Sequence, residues 1–373
     1  MQNYHLFCIF APKIGKMTFH IFNPEHDIAL AANLSNFTAP HAGRQLRHDL
    51  GFLPALWAAD GDKVLVDDVE LARRSLDRVA HAVRTGLNGS LLRGNREFAP
   101  WKQGVCSVET ACFEPWGWNR ALKGRLERVG ADERLLPSDA CLDDIRLLSH
   151  RRTAAALLPQ LRREGTVGEV FECRSQEEVA ALTERFGCVV LKAPWSSSGR
   201  GLRFVSSETP LTPHVSGWLN NLFDAQGAVM VEPYYNKVKD FGMEFECSDD
   251  GVVRYLGLSL FHTSNGAYKG NILATENVKR SMLSRYLSMD LIDSVKQDIC
   301  ERLSSLLKGR YAGPLGIDMM VCAPGALHPC VEINLRRTMG HVALALQPDD
   351  DDIQRVMRIE YSENRYKLKL QRL

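Results

Sequence analysis

The run Gly316-Ile317-Asp318-Met319-Met320-Val321 sets one carboxylate inside an otherwise apolar strand. Such a charge is costly to bury unless it is paired or metal-bound, so it constrains what surrounds it. The next extended run, Val331-Glu332-Ile333-Asn334-Leu335-Arg336-Arg337, carries Glu332 and Asn334 two residues apart. Strand side chains alternate, so these two share a face. A turn at Ala323-Pro324-Gly325-Ala326 makes the two runs an antiparallel hairpin and brings Asp318 beside them. Three oxygen donors from paired strands suit Mg²⁺, with Mn²⁺ as a substitute, completed by phosphate oxygens and water. A solvated sheet face with chance polar residues is the plainer alternative, and it leaves the cost of Asp318 unexplained.

Three upstream segments bear on the same chemistry. Val189-Val190-Leu191-Lys192 is a buried strand ending in a lysine, followed by a loop containing Ser196, Ser197, Ser198, Gly199 and Gly201. Small residues let backbone N–H groups approach phosphates closely. The spacing does not fit GxxxxGK[ST], so a Walker-type site is not supported. Val229-Met230-Val231-Glu232-Pro233 ends an apolar strand in a carboxylate that can accept from an adenine amino group, or can be a plain solvated strand end. Lys269, in Gly266-Ala267-Tyr268-Lys269-Gly270, sits on a Gly-flanked segment from which it could reach a transferred phosphoryl group; a surface loop lysine is the equal alternative.

The rest of the chain reads as alternating α/β structure. Thr18–Phe22 and Lys63–Val66 are expected strands, with helical spacing over 40–58 and 69–84. Residues 86–118, rich in Gly, Trp, Pro and Asn, read as a long loop. Helices are expected over 119–129, 139–148, 150–163, 175–186, 213–223 and 290–308, with short ones after 338 and 350. Two extended segments meet at Asp249-Asp250-Gly251, a hairpin signal. Residues 1–16 lack a signal-peptide layout and are read as a leader or mis-called extension, with Met17 as the natural start.

The 373 residues carry a formal net charge of +1, which argues against a polyanion-binding tail and leaves no case for a nucleic-acid partner. No apolar stretch reaches the roughly 18 residues of a membrane-spanning helix. The ten cysteines include no CxxC pair and are expected to be buried free thiols, which places the chain in the cytoplasm.

Taken in order, strand-lysine with Ser/Gly loop, strand-Glu-Pro, strand-Asp and Glu-x-Asn resemble the ATP-grasp superfamily, which includes D-alanine–D-alanine ligase and biotin carboxylase. The resemblance covers roughly residues 150–345. It implies ATP between two α+β lobes, here 149–235 and 236–373, behind a small N-terminal α/β substrate domain, 17–148. It implies Lys192 and either Arg151 or Arg152 on the phosphates, where the family usually has a lysine at the helix start. It further implies Ser197, Ser198 and Gly199 as a phosphate flap, Glu232 on adenine, Asp240 or Glu244 on ribose, and Asp318, Glu332 and Asn334 on one or two Mg²⁺. The activity implied is a carboxylate–amine, or carboxylate–thiol, ligase working through an acyl-phosphate. A phosphotransferase on a hydroxylated metabolite is the alternative, and a non-enzymatic nucleotide-binding module a weaker one.

Arg336 or Arg337, next to the metal ligands, could fork onto a substrate carboxylate or stabilise a tetrahedral intermediate. Asn23-Pro24-Glu25-His26-Asp27 follows the first strand, where open α/β sheets bind ligands. Asn23, Glu25, His26 and Arg44 are therefore substrate candidates, with His26 as an orienting group or base. A polar turn capped by Asn23 and Asp27 is the competing reading. Trp101, Trp116 and Trp118 could line the cleft but are more often core. Partners expected are small carboxylate and amine substrates, with no nucleic acid, no membrane and a homodimer left open.

Overall fold

A computed structural model describes residues 17–84, 97–101, 111–196, 201–209, 211–264 and 267–373. The chain builds three sheets. The first is a four-stranded parallel sheet from β1 (Thr18–Ile21), β2 (Lys63–Val66), β3 (Glu97–Pro100) and β4 (Cys112–Pro115), in the order β3-β2-β1-β4. Phe19 and Phe113 stack at 5.5 Å on adjacent strands, and Phe19, Ile21 and Leu65 are buried. The chain runs outward from β1 to β3, then returns to the other side of β1 as β4. The order therefore reverses between β1 and β4, and the crevice at their carboxyl ends is where ligands enter such sheets. Two of these strands lie in the stretch expected to be loop. Each has only four residues and ends in proline, too little for a periodic signal.

The second sheet is antiparallel, ordered β5-β8-β6-β7, from β5 (Phe171–Cys173), β6 (Cys188–Lys192), β7 (Leu202–Ser206) and β8 (Val229–Pro233). The helices Gln176–Phe186 and Pro213–Gln226 share its core of Val179, Val189, Leu191, Leu219, Val229 and Val231. Ser175 caps the first of them, accepting from the Glu178 N–H. The stretch 150–163 divides into an α-helix, Arg152–Leu157, and a 3₁₀ turn, Leu158–Leu161, because Pro159 cannot continue the ladder.

The third sheet has seven strands, ordered β13-β12-β9-β10-β11-β14-β15. They are β9 (Lys237–Cys247), β10 (Val253–Ser264), β11 (Ala267–Leu273), β12 (Gly313–Cys322), β13 (Ala326–Asn334), β14 (Arg355–Ser362) and β15 (Arg365–Arg372), all antiparallel. The helix Met289–Leu307 buries Ile292, Val295, Ile299, Leu303 and Leu307, one stripe at helical spacing, and packs on β10. The hairpin at Asp249-Asp250-Gly251 and the one joining β12 to β13 form as expected. The expectation of a helix after 350 is overturned. β14 and β15 turn at Glu363 and Asn364, both at positive φ, as a two-residue hairpin loop requires.

Two links tie the second sheet's segment to the third. The Val167 N–H donates to Leu327 O at 2.8 Å, and the Leu327 N–H to Gly165 O at 2.9 Å. Cys112, Cys173, Cys188, Cys247, Cys300, Cys322 and Cys330 are free thiols, whereas Cys141 is disulfide-bonded, against the expectation for it. Among the described residues no helix is long and apolar enough to cross a membrane.

Candidate functional site

Strands β9, β12 and β13 lie side by side, and their register sets one polar patch. Asp318 is opposite Glu332 on β13 and Gly242 on β9, while Gly316 is opposite Asn334 and Glu244. The two glycines on this face leave room for carboxylates. A Cβ on Gly316 would lie 2.6 Å from Glu244 Oε2. Asn334 Nδ2 donates to Asp318 Oδ2 at 3.4 Å. Burial pushes the Asp318 carboxyl up to about 7, and the charges of Glu332 and Glu244 add to it, against Arg336 and the Asn334 hydrogen bond. The three predicted donors thus converge, and Glu244 joins them.

Glu244 does not face outward to a ribose. It is buried and accepts from Thr338 Oγ1 at 2.8 Å, with His341 Nδ1 at 3.0 Å. Thr338 and His341 cap the helix Met339–Ala345, so the helix start is clamped onto this carboxylate. Asp240, the other ribose candidate, is on the same strand nearer the end of the cleft. It is held by Lys237 Nζ at 2.7 Å and Thr263 Oγ1 at 2.5 Å.

Cations come from the neighbouring elements. Arg151 Nε donates to Ala193 O at 3.0 Å, and its Nη2 reaches Ser196 Oγ at 3.4 Å and Glu332 Oε2 at 3.0 Å. Arg151 is therefore the member of the pair at the site. Arg152 turns away to His150 Nε2 at 3.0 Å and Glu172 at 3.6 Å. Lys192 Nζ and Glu232 Oε2 are 2.6 Å apart and buried, because β6 and β8 are neighbours and place both side chains on one face. Glu232 was expected to be free for an adenine; its carboxylate is instead committed to the lysine. Cys330, fully buried on β13, has its thiol pushed up by burial and then by Asp318, Glu232 and Glu332, with Lys192 opposing. The Lys192–Glu232 pair and the Asp318–Glu332 pair thus flank one residue of β13.

Among the described residues no group of three or more His, Cys, Asp and Glu side chains is gathered closely enough to hold a metal by itself. The physical reason is visible in Glu332, which is turned to Arg151. Asp318, Glu332, Glu244 and Asn334 are oxygen donors of the kind hard cations take, with Arg151 on Glu332 and His341 Nδ1 beside Glu244. Ser197, Ser198 and Gly199 lie outside the described residues. Lys269 is exposed on β11, in a strand rather than a loop, and has no ion pair among the described residues.

The arginines after β13 differ from expectation. Arg336 closes on Asp27, Nε to Oδ1 at 2.9 Å and Nη2 to Oδ2 at 2.8 Å, so its fork is not open to a substrate carboxylate. Arg337 lies over the Trp57 ring at 4.6 Å, with Glu114 at 3.5 Å. In the N-terminal turn, Asn23 exchanges hydrogen bonds with Gly117, donating at 2.8 Å and accepting at 3.3 Å. Asn23 thus ties the turn to Gly117 and does not cap the helix His26–Ala32, which has no side-chain cap. His26 is buried beside Asn119, with its Nδ1 at 3.1 Å, and burial lowers it to about 4, so it is neutral and enclosed rather than poised as a base. Glu25 pairs with Arg47, and Arg44 Nη1 donates to Ala39 O at 2.8 Å. Trp101, Trp116 and Trp118 are buried.

A parallel N-terminal sheet thus precedes two antiparallel sheets, and Arg151, Lys192 and Glu232 from the segment of the first of these stand beside or pair near the carboxylates of β12 and β13. The order of the three sheets is the one that the resemblance to the ATP-grasp superfamily leads one to expect. No protein-family profile matches the chain, and no curated protein does. Solved structures similar to it include N5-carboxyaminoimidazole synthetase from Staphylococcus aureus with ADP. That likeness has 12% identity, covers 95% of this chain and 85% of that one, and has a TM-score of 0.48. The biotin carboxylase domain of Hydrogenobacter thermophilus 2-oxoglutarate carboxylase is similar at 14% identity, 80% and 74% coverage and a TM-score of 0.47. A putative ATP-grasp superfamily protein from Archaeoglobus fulgidus is similar at 11% identity, 96% and 99% coverage and a TM-score of 0.43.

Proposed function

We propose that the chain is an ATP-dependent ligase that activates a carboxylate as an acyl-phosphate and joins it to an amine. The observation that carries this reading is the convergence of Asp318, Glu332, Glu244 and Asn334 on one face, with Arg151 on Glu332 and the Lys192–Glu232 pair beside them. In this reading 17–148 supplies substrate contacts, and 149–235 and 236–373 close on ATP. Asp318, Glu332 and Asn334 hold Mg²⁺, which when bound neutralises charge on the phosphate oxygens. Arg151 and Lys192 bind the phosphates, and both exchange their present carboxylate partners for phosphate oxygens. Glu232, released by the lysine, takes the adenine amino group. Ser197, Ser198 and Gly199 cover the phosphates, and Asp240 reaches the ribose.

The γ-phosphoryl group passes to a substrate carboxylate oxygen and ADP leaves. The amine nitrogen attacks the activated carbonyl, loses a proton, and phosphate departs. Water must be kept from the acyl-phosphate, which is what lobe closure supplies. Arg336 acts as a positioning residue through Asp27.

The test is ADP release with Mg-ATP and pools of carboxylates and amines. ADP that forms only when both are present supports the ligase. ADP formed from one hydroxylated compound alone replaces it with a phosphotransferase, and nucleotide binding without turnover on any pool replaces it with a binding module.

A further inference from the structure

The crevice between β1 and β4 opens into a cavity of about 150 Å³ with four arginines in its wall. Arg44 and Arg47 come from the helix His41–Leu50, and Arg125 and Arg128 from the helix Arg120–Arg128. Glu25 and Asn23 enter from the turn after β1, and Asn119 from the turn after β4.

The charges do not balance. Arg47 pairs with Glu25, and Arg125 Nη2 with Asp67 Oδ1 at 2.8 Å. Arg47 Nε also looks to Asp67, but at 3.7 Å it is too far to donate and is left buried without a hydrogen-bond partner. Arg44 and Arg128 have no acidic partner among the described residues. Among the described residues four guanidiniums thus face two carboxylates, and two positive charges have no acidic partner. Burial pushes Arg125 below its ordinary value, and the charge of Arg47 adds to it, as repulsion between neighbouring cations requires.

The remaining wall is apolar. Phe37 and Trp101 line it, and the Arg125 guanidinium lies 3.5 Å from the Trp101 ring centroid, which fixes its plane. Arginine forks suit oxyanions held by two oxygens. A chain of contacts leads from this cavity towards the carboxylate cluster. Asn119 touches His26, and the adjacent Asp27 holds Arg336, whose charge is felt at Asp318.

We propose that this cavity is a binding site for a small organic dianion, a phosphate monoester or a dicarboxylate, whose apolar part rests on Phe37 and Trp101. Resting on the ligase reading, this ligand is the anionic end of one of the two substrates.

Calorimetric titration of the full chain with inorganic phosphate in one arm and malonate in the other tests it, with chloride as the monovalent control. Saturable binding is expected in at least one arm, and the arm that binds tells phosphate from dicarboxylate. Arg44→Ala and Arg128→Ala should each weaken that binding by about tenfold, and Arg44→Lys by less, since it keeps the charge and loses the fork. Affinity for MgADP, read on the same samples, should not move. Absence of saturation in both arms, or equal affinity in the alanine variants, overturns the site. Loss of anion binding in the variants with no ADP released on any substrate pool keeps the site and removes the ligase reading.

Discussion

Arg336 holds Asp27 with two parallel hydrogen bonds, at 2.9 and 2.8 Å, across 309 residues of sequence. This pair joins the segment just past β13 to the first turn of the helix His26–Ala32. Burial works against the Asp27 carboxylate, but the Arg336 charge and its hydrogen bonds win and hold the group below its usual range. Asp27→Asn leaves a buried guanidinium unpaired and should cost about 3–5 kcal/mol. Asp27→Asn combined with Arg336→Met should cost less than the sum of the two single changes. Denaturant midpoints for the cycle check this; additive losses would mean that the pair contributes no coupling.

Asp318→Asn and Glu332→Gln should each abolish ADP release while the protein stays folded. In Asp318→Asn the buried charge, and its repulsion by Glu332 and Glu244, is removed, so the melting temperature without metal should rise rather than fall. The gain in melting temperature that Mg²⁺ gives the parent should disappear in both. Full turnover in either variant would remove the metal assignment.

The site was legible where period-two alternation alone decides. Asp318, Glu332 and Asn334 were placed together by one hairpin and one parity rule, and β12 and β13 pair that way. Glu244 was misplaced because its partners, Thr338 and His341, are about ninety residues on and no local rule joins them. The Lys192–Glu232 pair depended on β8 lying next to β6, an order that the spacing of segments does not specify. The fork of Arg336 was read as open because its acid lies at the opposite end of the chain. β14 and β15 were missed because Arg355–Ser362 alternates only partly between buried and exposed.

Lys192 and Glu232 predict their own asymmetry. Removing either partner strands a buried charge, so Lys192→Ala and Glu232→Ala should each destabilise by about 3 kcal/mol, and Lys192→Met with Glu232→Leu by much less. Lys192→Ala should also weaken MgADP binding by about tenfold or more, as loss of a charge-assisted contact does. Melting curves and nucleotide titrations on the same preparations separate the two effects. Unchanged nucleotide affinity would take the lysine out of the phosphate site.

Three enclosed histidines set the acid limit. Burial lowers His26 to about 4, His150 to about 3 and His328 to about 4, from an ordinary value of 6.5. Arg152, Arg146 and Arg151 push His150 down further. Between about pH 4 and 6.5 the unfolded chain binds protons that the folded chain refuses, so stability falls as pH falls through this window. At full protonation of the unfolded state His26 and His328 each cost roughly 3 kcal/mol of stability and His150 roughly 5 kcal/mol. The denaturation midpoint should therefore drop from pH 7 to pH 5, and His328→Gln should flatten the slope by about one proton. A flat profile would mean that these rings are solvated.

Gly340 gives the sharpest steric test. A Cβ there would sit 1.8 Å from Glu244 Oε1 and 2.6 Å from Ser259 Oγ, closer than any side chain tolerates. Glu244 cannot yield easily, since Thr338 and His341 hold its carboxylate against the helix start. Gly340→Ala must therefore lift the helix Met339–Ala345 or expel Glu244 from the cluster. A loss of about 2 kcal/mol or more is expected, together with loss of ADP release, because the displaced carboxylate neighbours Asp318. Alanine normally favours a helix interior over glycine, so propensity alone predicts the opposite sign. Melting temperature decides between the two. A variant as stable as the parent would show that the helix start and Glu244 are not in contact.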